Sequence, residues 1–346
     1  MPLLEIEDLA IDLARDGARR RLVHGASLTV EEGETVAVVG ESGSGKSLTA
    51  LAAMGLLPEE LSVGAGRIRF QGRDLAELDE EQRRALRGGD MAMIFQEPMT
   101  ALNPVLTIGR QLTEGMRAKL GLSKAEAEAR AVDLLTQVGV TDPARRLRQY
   151  PHEFSGGMRQ RVVIAMALAC RPKLILADEP TTALDVTIQA QILALTARLC
   201  RENGVGLVLI THNLGIVARY ADRVCVMYAG GVVEAAEARA LYRAPRHPYT
   251  RGLLDSVPRL DLDRSRGLQP IPGSPPDPMR PVAGCRFHPR CARAEARCRA
   301  EDPPPELRDG RLFACWRPLP APVSDPAPSS APSPSSEPAP SSEPAR

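Results

Sequence analysis

The 346-residue chain contains few aromatic residues: they make up 3% of the sequence, with one Trp, five Tyr and five Phe. So few rings argue against the base-stacking surfaces of proteins that bind single-stranded nucleic acid. The charges nearly balance, with 44 Lys and Arg against 43 Asp and Glu and a net charge of +1. A near-neutral chain has no strong basic field to attract a phosphate backbone. The composition therefore gives no reason to expect nucleic acid as a partner.

Long apolar runs are also missing. The longest, Val162 to Cys170, is far shorter than the roughly 20 residues that a membrane-spanning helix needs. The N-terminal stretch Met1–Asp8 has neither a basic region nor an apolar core, so no signal peptide is expected. The sequence therefore predicts a protein that is made and kept in the cytosol. If it works at a membrane, another chain must hold it there.

The apolar pattern predicts an α/β fold with a mostly parallel sheet. Residues 1–31 alternate weakly, as short antiparallel strands do, whereas 35–39, 174–177 and 206–210 are near-continuous apolar runs typical of buried strands. Each run leads through polar residues into a helical pattern, so the strands' C-terminal ends should form one site. Between them, residues 97–165 are predicted to be mostly helical, with Ser123 capping one helix.

Proline becomes frequent beyond about residue 255, and Ile271–Pro276 is typical of an extended linker. From Leu319 the chain is mostly Pro, Ser and Ala with almost nothing to bury, which predicts disorder. We therefore expect an α/β domain at 1–255 with a helical subdomain at about 97–165, an extension at 256–318 and a disordered tail at 319–346.

A glycine-rich loop follows the first buried strand and fits the pattern G-x-x-x-x-G-K-[ST]. It stands between a strand and a helical stretch predicted from Lys46 to Leu57, which is the context this motif requires and which disfavours an incidental glycine turn. Backbone N–H groups and the helix dipole would face phosphates, Lys46 would reach the β- and γ-phosphates, and Ser47 would bind Mg²⁺. The predicted ATP-binding loop consists of Gly40, Glu41, Ser42, Gly43, Ser44, Gly45, Lys46 and Ser47.

Two carboxylates end the second buried strand. Unpaired charge is costly at such a place, so Asp178 is expected to hold Mg²⁺ and Glu179 to orient the attacking water. A capped helix start is the alternative for this pair. His212 follows the third strand, where its imidazole would contact the γ-phosphate. The predicted catalytic residues are therefore Glu179, His212 and Lys46.

A second stretch has the character of an anion site. Ser155-Gly156-Gly157 precedes a predicted helix from Met158 to Ala169, so a serine cap, free N–H groups and a helix dipole coincide there. A helical insertion separates this stretch from the first loop, and we do not expect both to reach one nucleotide within one chain. A dimer in which each chain's second site closes over its partner's ATP would use both. A simple helix cap is the alternative.

At these residues the sequence resembles the ATP-binding cassette (ABC) ATPases over about residues 3–255. The resemblance implies a P-loop NTPase with a RecA-like, mostly parallel sheet, an antiparallel β subdomain and a helical subdomain. It adds Gln96 as the Q-loop glutamine, which would couple the γ-phosphate to the helical subdomain. It also adds a D-loop, 183–185, with Asp185 at the dimer interface. By this resemblance Mg²⁺ would be held by Ser47, Gln96 and Asp178, and the partner's ATP would be contacted by the signature residues Ser155, Gly156, Gly157 and Gln160.

Four further segments resemble the ATPases of dipeptide and oligopeptide importers: 96–104, 151–154, 181–189 and 247–251. The resemblance implies a peripheral protein on the cytoplasmic face of the cell membrane. Its partners would be a second ATPase, paralogous or identical, in a head-to-tail dimer, two membrane permeases and a periplasmic or extracellular solute-binding protein. A soluble ABC ATPase acting on nucleic acid or ribosomes is the alternative, but the chain lacks the coiled-coil insertion or second cassette of such proteins. A plain P-loop kinase would leave Ser155–Gly157 unexplained.

The chain departs from this family in one respect. The family usually places an aromatic residue beneath adenine in the first strand region, where Leu13 stands here, and no aromatic residue occurs before Phe70. An apolar contact from Leu13 or Leu22 would have to replace the aromatic ring.

Seven cysteines in a cytosolic protein are expected to be thiols or metal ligands rather than disulfides. Three of them lie in apolar segments and are predicted to pack in the core: Cys170, Cys200 and Cys225. The other four lie in a proline-rich segment with little apolar material, which makes them candidates to bind a stabilising metal: Cys285, Cys291, Cys298 and Cys315. Four thiolates fit zinc, in which His288 would replace one ligand, or an iron–sulfur cluster; unligated thiols are the third possibility. Similar extensions in some importer ATPases carry a [4Fe–4S] cluster, so the resemblance favours that cofactor beside ATP and Mg²⁺.

Overall fold

Two β-sheets and a group of helices build the chain, which a computed structural model describes for residues 1–15, 18–97, 101–181, 185–257, 270–280 and 282–320. The strands are β1 Leu4–Arg15, β2 Ala18–Val30, β3 Thr35–Val39, β4 Leu61–Phe70, β5 Arg73–Asp74, β6 Met91–Ile94, β7 Leu174–Asp178, β8 Gly206–Thr211, β9 Arg223–Tyr228, β10 Gly231–Glu237, β11 Glu306–Arg308 and β12 Arg311–Phe313. The helices are α1 Lys46–Met54, α2 Glu80–Leu86, α3 Ile108–Leu120, α4 Lys124–Gln137, α5 Pro143–Arg146, α6 Gly156–Ala169, α7 Val186–Glu202, α8 Leu214–Val217, α9 Ala238–Arg243, α10 Pro248–Asp255 and α11 Ala296–Ala300, with short 3₁₀ turns at Pro151–Glu153 and His288–Arg290.

The larger sheet has the order β11-β12-β10-β9-β3-β8-β7-β6. Its centre, from β9 to β6, is parallel throughout, which confirms the predicted mostly parallel sheet. Strands β3, β7 and β8 are buried at every residue, because helices or the smaller sheet cover both faces. Strand β7 reaches Asp178 and β8 reaches Thr211, each one residue beyond the predicted apolar run.

The smaller sheet is antiparallel and confirms the prediction for residues 1–31. Its order is β2-β1-β4-β5, with Leu4 of β1 paired to Val30 on one side and to Phe70 on the other. The inward side chains of β1 and β2 form one core with α1 and the central strands; Leu4 and Val23 have no exposed surface. The smaller sheet thereby packs beside the glycine-rich loop.

Helices α3 to α6 form the predicted helical region. Ser123 begins α4 with a capping box: its hydroxyl accepts from the Glu126 N–H while the Glu126 carboxylate accepts from the Ser123 N–H. Helix α1 ends at Met54 rather than at Leu57, because Gly55 takes a left-handed conformation with φ of 62°.

The C-terminal extension packs against the main sheet. Strand β12 pairs with β10, joining Phe313 to Glu234 and Leu312 to Ala235. Phe287 lies edge-on to Tyr228 with ring centroids 5.2 Å apart. Part of the predicted extension, 258–269, lies outside the described residues, and so does the predicted tail apart from Leu319 and Pro320.

Candidate nucleotide-binding site

The strand order brings the predicted site residues to one edge of the sheet. The glycine-rich loop follows β3, His212 follows β8, Asp178 and Glu179 close β7, and Gln96 follows β6. Because β3, β8, β7 and β6 are neighbouring parallel strands, their C-terminal ends lie side by side. Residues separated by up to 172 positions in the numbering, from Gly40 to His212, therefore meet at one edge.

The glycine-rich loop wraps around the amino group of its own lysine. Lys46 Nζ donates to the carbonyl oxygens of Gly40 and Glu41, each at 2.9 Å, and lies 3.4 Å from Ser44 Oγ. A side chain at Gly40 would collide with the carbonyl oxygen of Met227, so only glycine fits there. Burial lowers the pKa of Lys46, while the carboxylates of Glu179, Asp178 and Glu41 act in the opposite direction. A cationic amine at the start of helix α1 is suited to bind phosphate.

Two predicted magnesium ligands contact each other directly. Ser47 Oγ donates to Asp178 Oδ1 at 2.9 Å, although 131 positions separate the two residues. Burial raises the pKa of the Asp178 carboxyl and the Ser47 hydrogen bond opposes that rise. A hydroxyl beside a carboxylate is an oxygen donor set that Mg²⁺ accepts together with phosphate oxygens and water. The residues present therefore fit the ion.

The two predicted catalytic side chains beyond the strands also meet. His212 Nδ1 lies 3.3 Å from Glu179 Oε2, and the histidine is the more exposed of the two, with 59% of its side chain accessible against 17% for the glutamate. Glu179 holds a left-handed backbone with φ of 43°, fixed by hydrogen bonds from its N–H to Ile210 and from the Thr181 N–H to its carbonyl oxygen. Such a conformation in a non-glycine residue needs this support and aims the carboxylate at a defined point.

Two residues taken from the ABC resemblance are exposed. Gln96 lies just beyond β6, at the same sheet edge as Asp178. Asp185 caps helix α7 by accepting from the Ile188 N–H at 2.9 Å. The roles of Gln96 at Mg²⁺ and of Asp185 in a dimer stay predictions. The neighbouring residues 98–100 and 182–184, which include most of the predicted D-loop, lie outside the described residues.

The second predicted anion site is a capped helix start, in which one of the predicted contact residues is buried. Ser155 is exposed and caps helix α6, with Oγ 3.4 Å from the Met158 nitrogen, and Gly156 is exposed beside it. Gln160, by contrast, has no exposed surface, and neither its Nε2 nor its Oε1 has a hydrogen-bond partner among the residues that the structure describes. The side chain is enclosed by its own chain here, and the contact of Gln160 with a partner's ATP stays a prediction.

A cavity of about 540 Å³ lies between the glycine-rich loop and the extension. Strand β2 supplies Leu22 and His24 to its wall, and the extension supplies Pro275 and its neighbours. Leu13 is not among the lining residues; it pairs with Arg20 and Leu61 in the smaller sheet. The geometry therefore favours Leu22 over Leu13 as an apolar contact beside the phosphate loop.

Sequence reasoning missed two side chains that touch the loop from outside. The backbone N–H of Glu41 donates to Tyr249 Oη at 2.9 Å, and the Glu41 carboxylate binds Arg290. Tyr249 belongs to the 247–251 segment, which the resemblance to importer ATPases indicates without implying a role for it. No sequence pattern indicates a role for Arg290, because a single arginine in an arginine-rich extension is expected to be a solvated surface charge.

The four cysteines of the extension line one small cavity of about 10 Å³, together with Phe287, His288 and Trp316. Burial raises the pKa of Cys285 to about 11 and of Cys315 to about 12, and it also raises the pKa of Cys291. His288 directs Nδ1 to the Cys285 carbonyl oxygen, 3.0 Å away. Within the part of the chain that the structure describes, no group of three or more His, Cys, Asp or Glu side chains is arranged to hold a metal ion.

Comparison with known proteins agrees with this geometry. Residues 23–182 match the ABC transporter family, and residues 233–298 match the C-terminal region of oligopeptide/dipeptide transporters. The dipeptide transport ATP-binding protein DppD of Escherichia coli (strain K12) is 50% identical over 92% of this chain and 98% of its own. The oligopeptide transport ATP-binding protein OppD of Salmonella typhimurium is 48% identical over 92% and 94% of the two chains.

Solved structures give the same result. The ATP-binding cassette MJ0796, determined as a dimer bound to ADP and Pi, has a TM-score of 0.61 and 27% identity, covering 68% of this chain and 99% of that one. A phosphate loop beside a serine–aspartate pair and a glutamate is the arrangement of a nucleotide-hydrolysing P-loop site, and the matches to known proteins place this site in the ABC class. The chain belongs to the ATP-binding proteins of ABC transporters, within the dipeptide/oligopeptide group. It therefore binds and hydrolyses ATP. Across the described ranges, no helix is both long enough and apolar enough to cross a membrane.

Proposed function

We propose that this chain hydrolyses ATP to drive the import of dipeptides or oligopeptides, working on the cytoplasmic face of the cell membrane. The observation that carries the proposal is similarity along nearly the whole chain, including the extension, to proteins named for dipeptide and oligopeptide transport. Its partners would be two membrane permeases, a solute-binding protein outside the membrane and a second ABC subunit, identical or paralogous. The alternative of a soluble ABC ATPase acting on nucleic acid or ribosomes has no comparable support.

The geometry supports a division of labour within the site. Lys46 and Mg²⁺, held by Ser47 and Asp178, would stabilise charge on the transferred phosphoryl group. Glu179 would position the attacking water, with His212 fixing its carboxylate. ATP would close a head-to-tail dimer against the exposed start of helix α6 at Ser155, and hydrolysis would reopen it. Gln96 and Asp185 would transmit this motion to the helical subdomain and the partner.

For the extension we propose a metal–thiolate site, with a [4Fe–4S] cluster ahead of zinc or free thiols. The support is that four cysteines from separate segments of the extension line a single cavity. Metal binding would have to displace the protons that burial retains on Cys285 and Cys315, whose pKa values it raises, and the cavity would have to widen for a cluster. Protein purified without oxygen should be brown with about four irons per chain. Colourless, iron-free protein after anaerobic reconstitution would exclude the cluster, and a zinc assay would then separate zinc from free thiols.

Purification from membranes tests the transport function. The tagged chain should bring down two membrane proteins and a second ABC ATPase, and vesicles containing that complex should take up a labelled dipeptide in the presence of ATP. A Lys46→Ala complex is the matched control and should assemble without transporting. Recovery of the chain with ribosomes or nucleic acid, and none with membranes, would instead favour the soluble alternative.

A further inference from the structure

We propose that Arg290, in the C-terminal extension, is a positioning residue for ATP binding that holds the phosphate loop in shape through Glu41. Arg290 Nη1 lies 2.6 Å from Glu41 Oε2, and Nη2 lies 3.0 Å from Glu41 Oε1. This is a bidentate guanidinium–carboxylate pair, a geometry that makes the ion pair both stronger and more directional. We call it the Arg290–Glu41 clamp. It joins residues 249 positions apart, one in the ATP-binding loop and one in the cysteine-containing extension.

The surroundings of Arg290 suit a fixed contact rather than a mobile surface charge. Only 5% of its side chain is exposed, and its Nε donates to the carbonyl oxygen of Pro272 at 2.9 Å. The guanidinium also lies over the ring of Tyr228, 5.8 Å from its centroid. Its hydrogen bond with Glu41 raises the pKa of Arg290 further, so the group stays charged. Because Nε, Nη1 and Nη2 of this buried guanidinium are all hydrogen-bonded, the side chain is held in one geometry.

Arg290 completes the fixation of Glu41. The carboxylate of Glu41 binds Arg290, its N–H donates to Tyr249 Oη at 2.9 Å, and its carbonyl oxygen accepts from Lys46 Nζ at 2.9 Å. All three polar groups of this loop residue are therefore held, two of them by groups outside the loop. Since Lys46 is the cation that reaches the phosphates, the extension is linked to the ATP site through a single residue.

The outer side of the loop has little other support. Ser42 and Gly43 are exposed, and a side chain added at Gly43 would meet nothing within 4 Å. A loop that is mobile before binding must be ordered by the ligand, and that ordering weakens affinity. Because the Arg290–Glu41 clamp orders part of the loop before ATP binds, less ordering is left for the ligand to bring about. Hydrolysis itself relies on Glu179, which Arg290 does not touch, so the effect should fall on binding.

The base of the clamp is rigid. Arg290 is the last residue of the 3₁₀ turn His288–Arg290, and Phe287 precedes that turn. Phe287 is 4% exposed and packs against Tyr228 and Tyr249. Two of the five tyrosines and one of the five phenylalanines in the chain thus gather beneath the loop. Cys285 and Cys291 bracket the same turn, so the cysteine cavity and the ATP loop share one structural element.

The test uses the purified full-length chain, the non-hydrolysable analogue AMP-PNP with Mg²⁺, and steady-state ATP hydrolysis. Arg290→Gln should raise the Kd for AMP-PNP about tenfold and KM for ATP by the same factor, with kcat within about twofold of the parent. Arg290→Lys keeps the charge but loses the second hydrogen bond to the carboxylate. Its Kd and KM should fall between those of the parent and those of Arg290→Gln. Arg297→Gln is the matched control, because it breaks another ion pair of the extension, with Glu301 at 3.1 Å, that does not reach the loop. It should leave Kd and KM unchanged.

A purely structural role for Arg290 gives a different result. In that case Arg290→Gln lowers the melting temperature while Kd and KM stay at the parent values, and the proposal fails. If Arg290→Gln does not fold, Glu41→Gln with Arg290 intact should itself weaken AMP-PNP binding; an unchanged Kd there also refutes the proposal. Where all variants fold, the Glu41→Gln and Arg290→Gln effects on Kd should be strongly non-additive, and additive effects would contradict a shared clamp. None of these measurements involves a transported solute, so they stand apart from the proposal of peptide import.

Discussion

The hydroxyl of Ser47 donates a hydrogen bond of 2.9 Å to the carboxylate of Asp178, and this contact ties the first helix of the nucleotide site to the end of β7. One partner comes from the glycine-rich loop and the other from a strand that lies two places away in the sheet. The pair is preformed, so a cation that takes these oxygens as ligands has little to rearrange. Burial, which raises the pKa of Asp178, also makes a nearby positive charge favourable.

We predict that Ser47→Ala raises the Mg²⁺ concentration needed for half-maximal ATP hydrolysis by about tenfold or more, a loss typical of metal-site ligand changes. Nucleotide binding measured with EDTA present should change little, because the phosphate contacts of the loop and Lys46 remain. Ser62→Ala, on an exposed part of β4, serves as control. An equal loss of binding with and without Mg²⁺ would show that Ser47 does not act through the metal.

Glu179→Gln should bind MgATP normally and lose hydrolysis by about 10²-fold or more, the scale of general-base effects. The amide keeps the size of the side chain, the hydrogen bond from the residue 179 N–H to the Ile210 carbonyl oxygen and the one from the Thr181 N–H, but it cannot accept a proton from water. ATP should then hold the dimer closed, which light scattering or gel filtration with ATP would detect.

The exposed Glu81→Gln is a suitable control for that experiment, since it makes the same chemical change on helix α2, which supplies none of the predicted site residues. Hydrolysis at a near-parental rate in Glu179→Gln would mean that another group orients the water.

The cavity beside the loop leads to a third prediction. Leu22→Ala should weaken ATP binding by about fivefold, in line with losing one apolar contact, because Leu22 lines the cavity between the loop and the extension. Leu13→Ala should change the Kd for ATP by less than about twofold, since Leu13 lies outside that wall. The two variants remove the same side chain from the two leucines that the sequence offered for adenine. If Leu13→Ala weakened ATP binding more than Leu22→Ala, Leu13 rather than Leu22 would be the residue that contacts adenine.

Sequence predicts most of the phosphate site because its parts carry local signals. The loop from Gly40 to Ser47 has a fixed spacing, and Asp178 and Glu179 end an apolar run that periodicity alone identifies. Parallel strands then bring these ends together without further information. The cap at Ser123 was predictable for the same reason, since a serine followed three residues later by glutamate is a local pattern.

Contacts that join distant segments escape this reasoning. Nothing near Arg290 indicates that it is 5% exposed and bound to Glu41, because its partner is 249 positions away. Strand β12 has three residues, too few for periodicity to reveal its pairing with β10. Gln160 follows a glycine-rich helix start, and only the packing around α6 shows that its amide is enclosed. Such features depend on tertiary packing, which local patterns do not encode.

The last prediction concerns acid stability and rests on His247. This residue is 1% exposed, and its Nδ1 accepts the Tyr249 N–H at 3.0 Å, so the fold requires the neutral ring. Burial lowers the pKa of His247 from 6.5 to about 3. Below pH 6.5 the unfolded chain therefore takes up a proton that the folded chain refuses, and the free energy of unfolding falls as the pH drops from 6.5 towards 3.

The size of this effect can be isolated with one substitution. Between pH 7 and pH 5, His247 alone should remove about 2 kcal/mol from the free energy of unfolding. His247→Asn keeps a side-chain oxygen to cap helix α10 but removes the titration, so its free energy of unfolding should fall by about 2 kcal/mol less over the same range. His24, whose pKa burial lowers to about 4, and the buried carboxyl of Glu234, whose pKa burial raises, are common to both proteins and cancel in the difference. Urea unfolding at the two pH values measures it, and equal pH dependence in the two proteins would show that His247 takes up its proton in the folded chain.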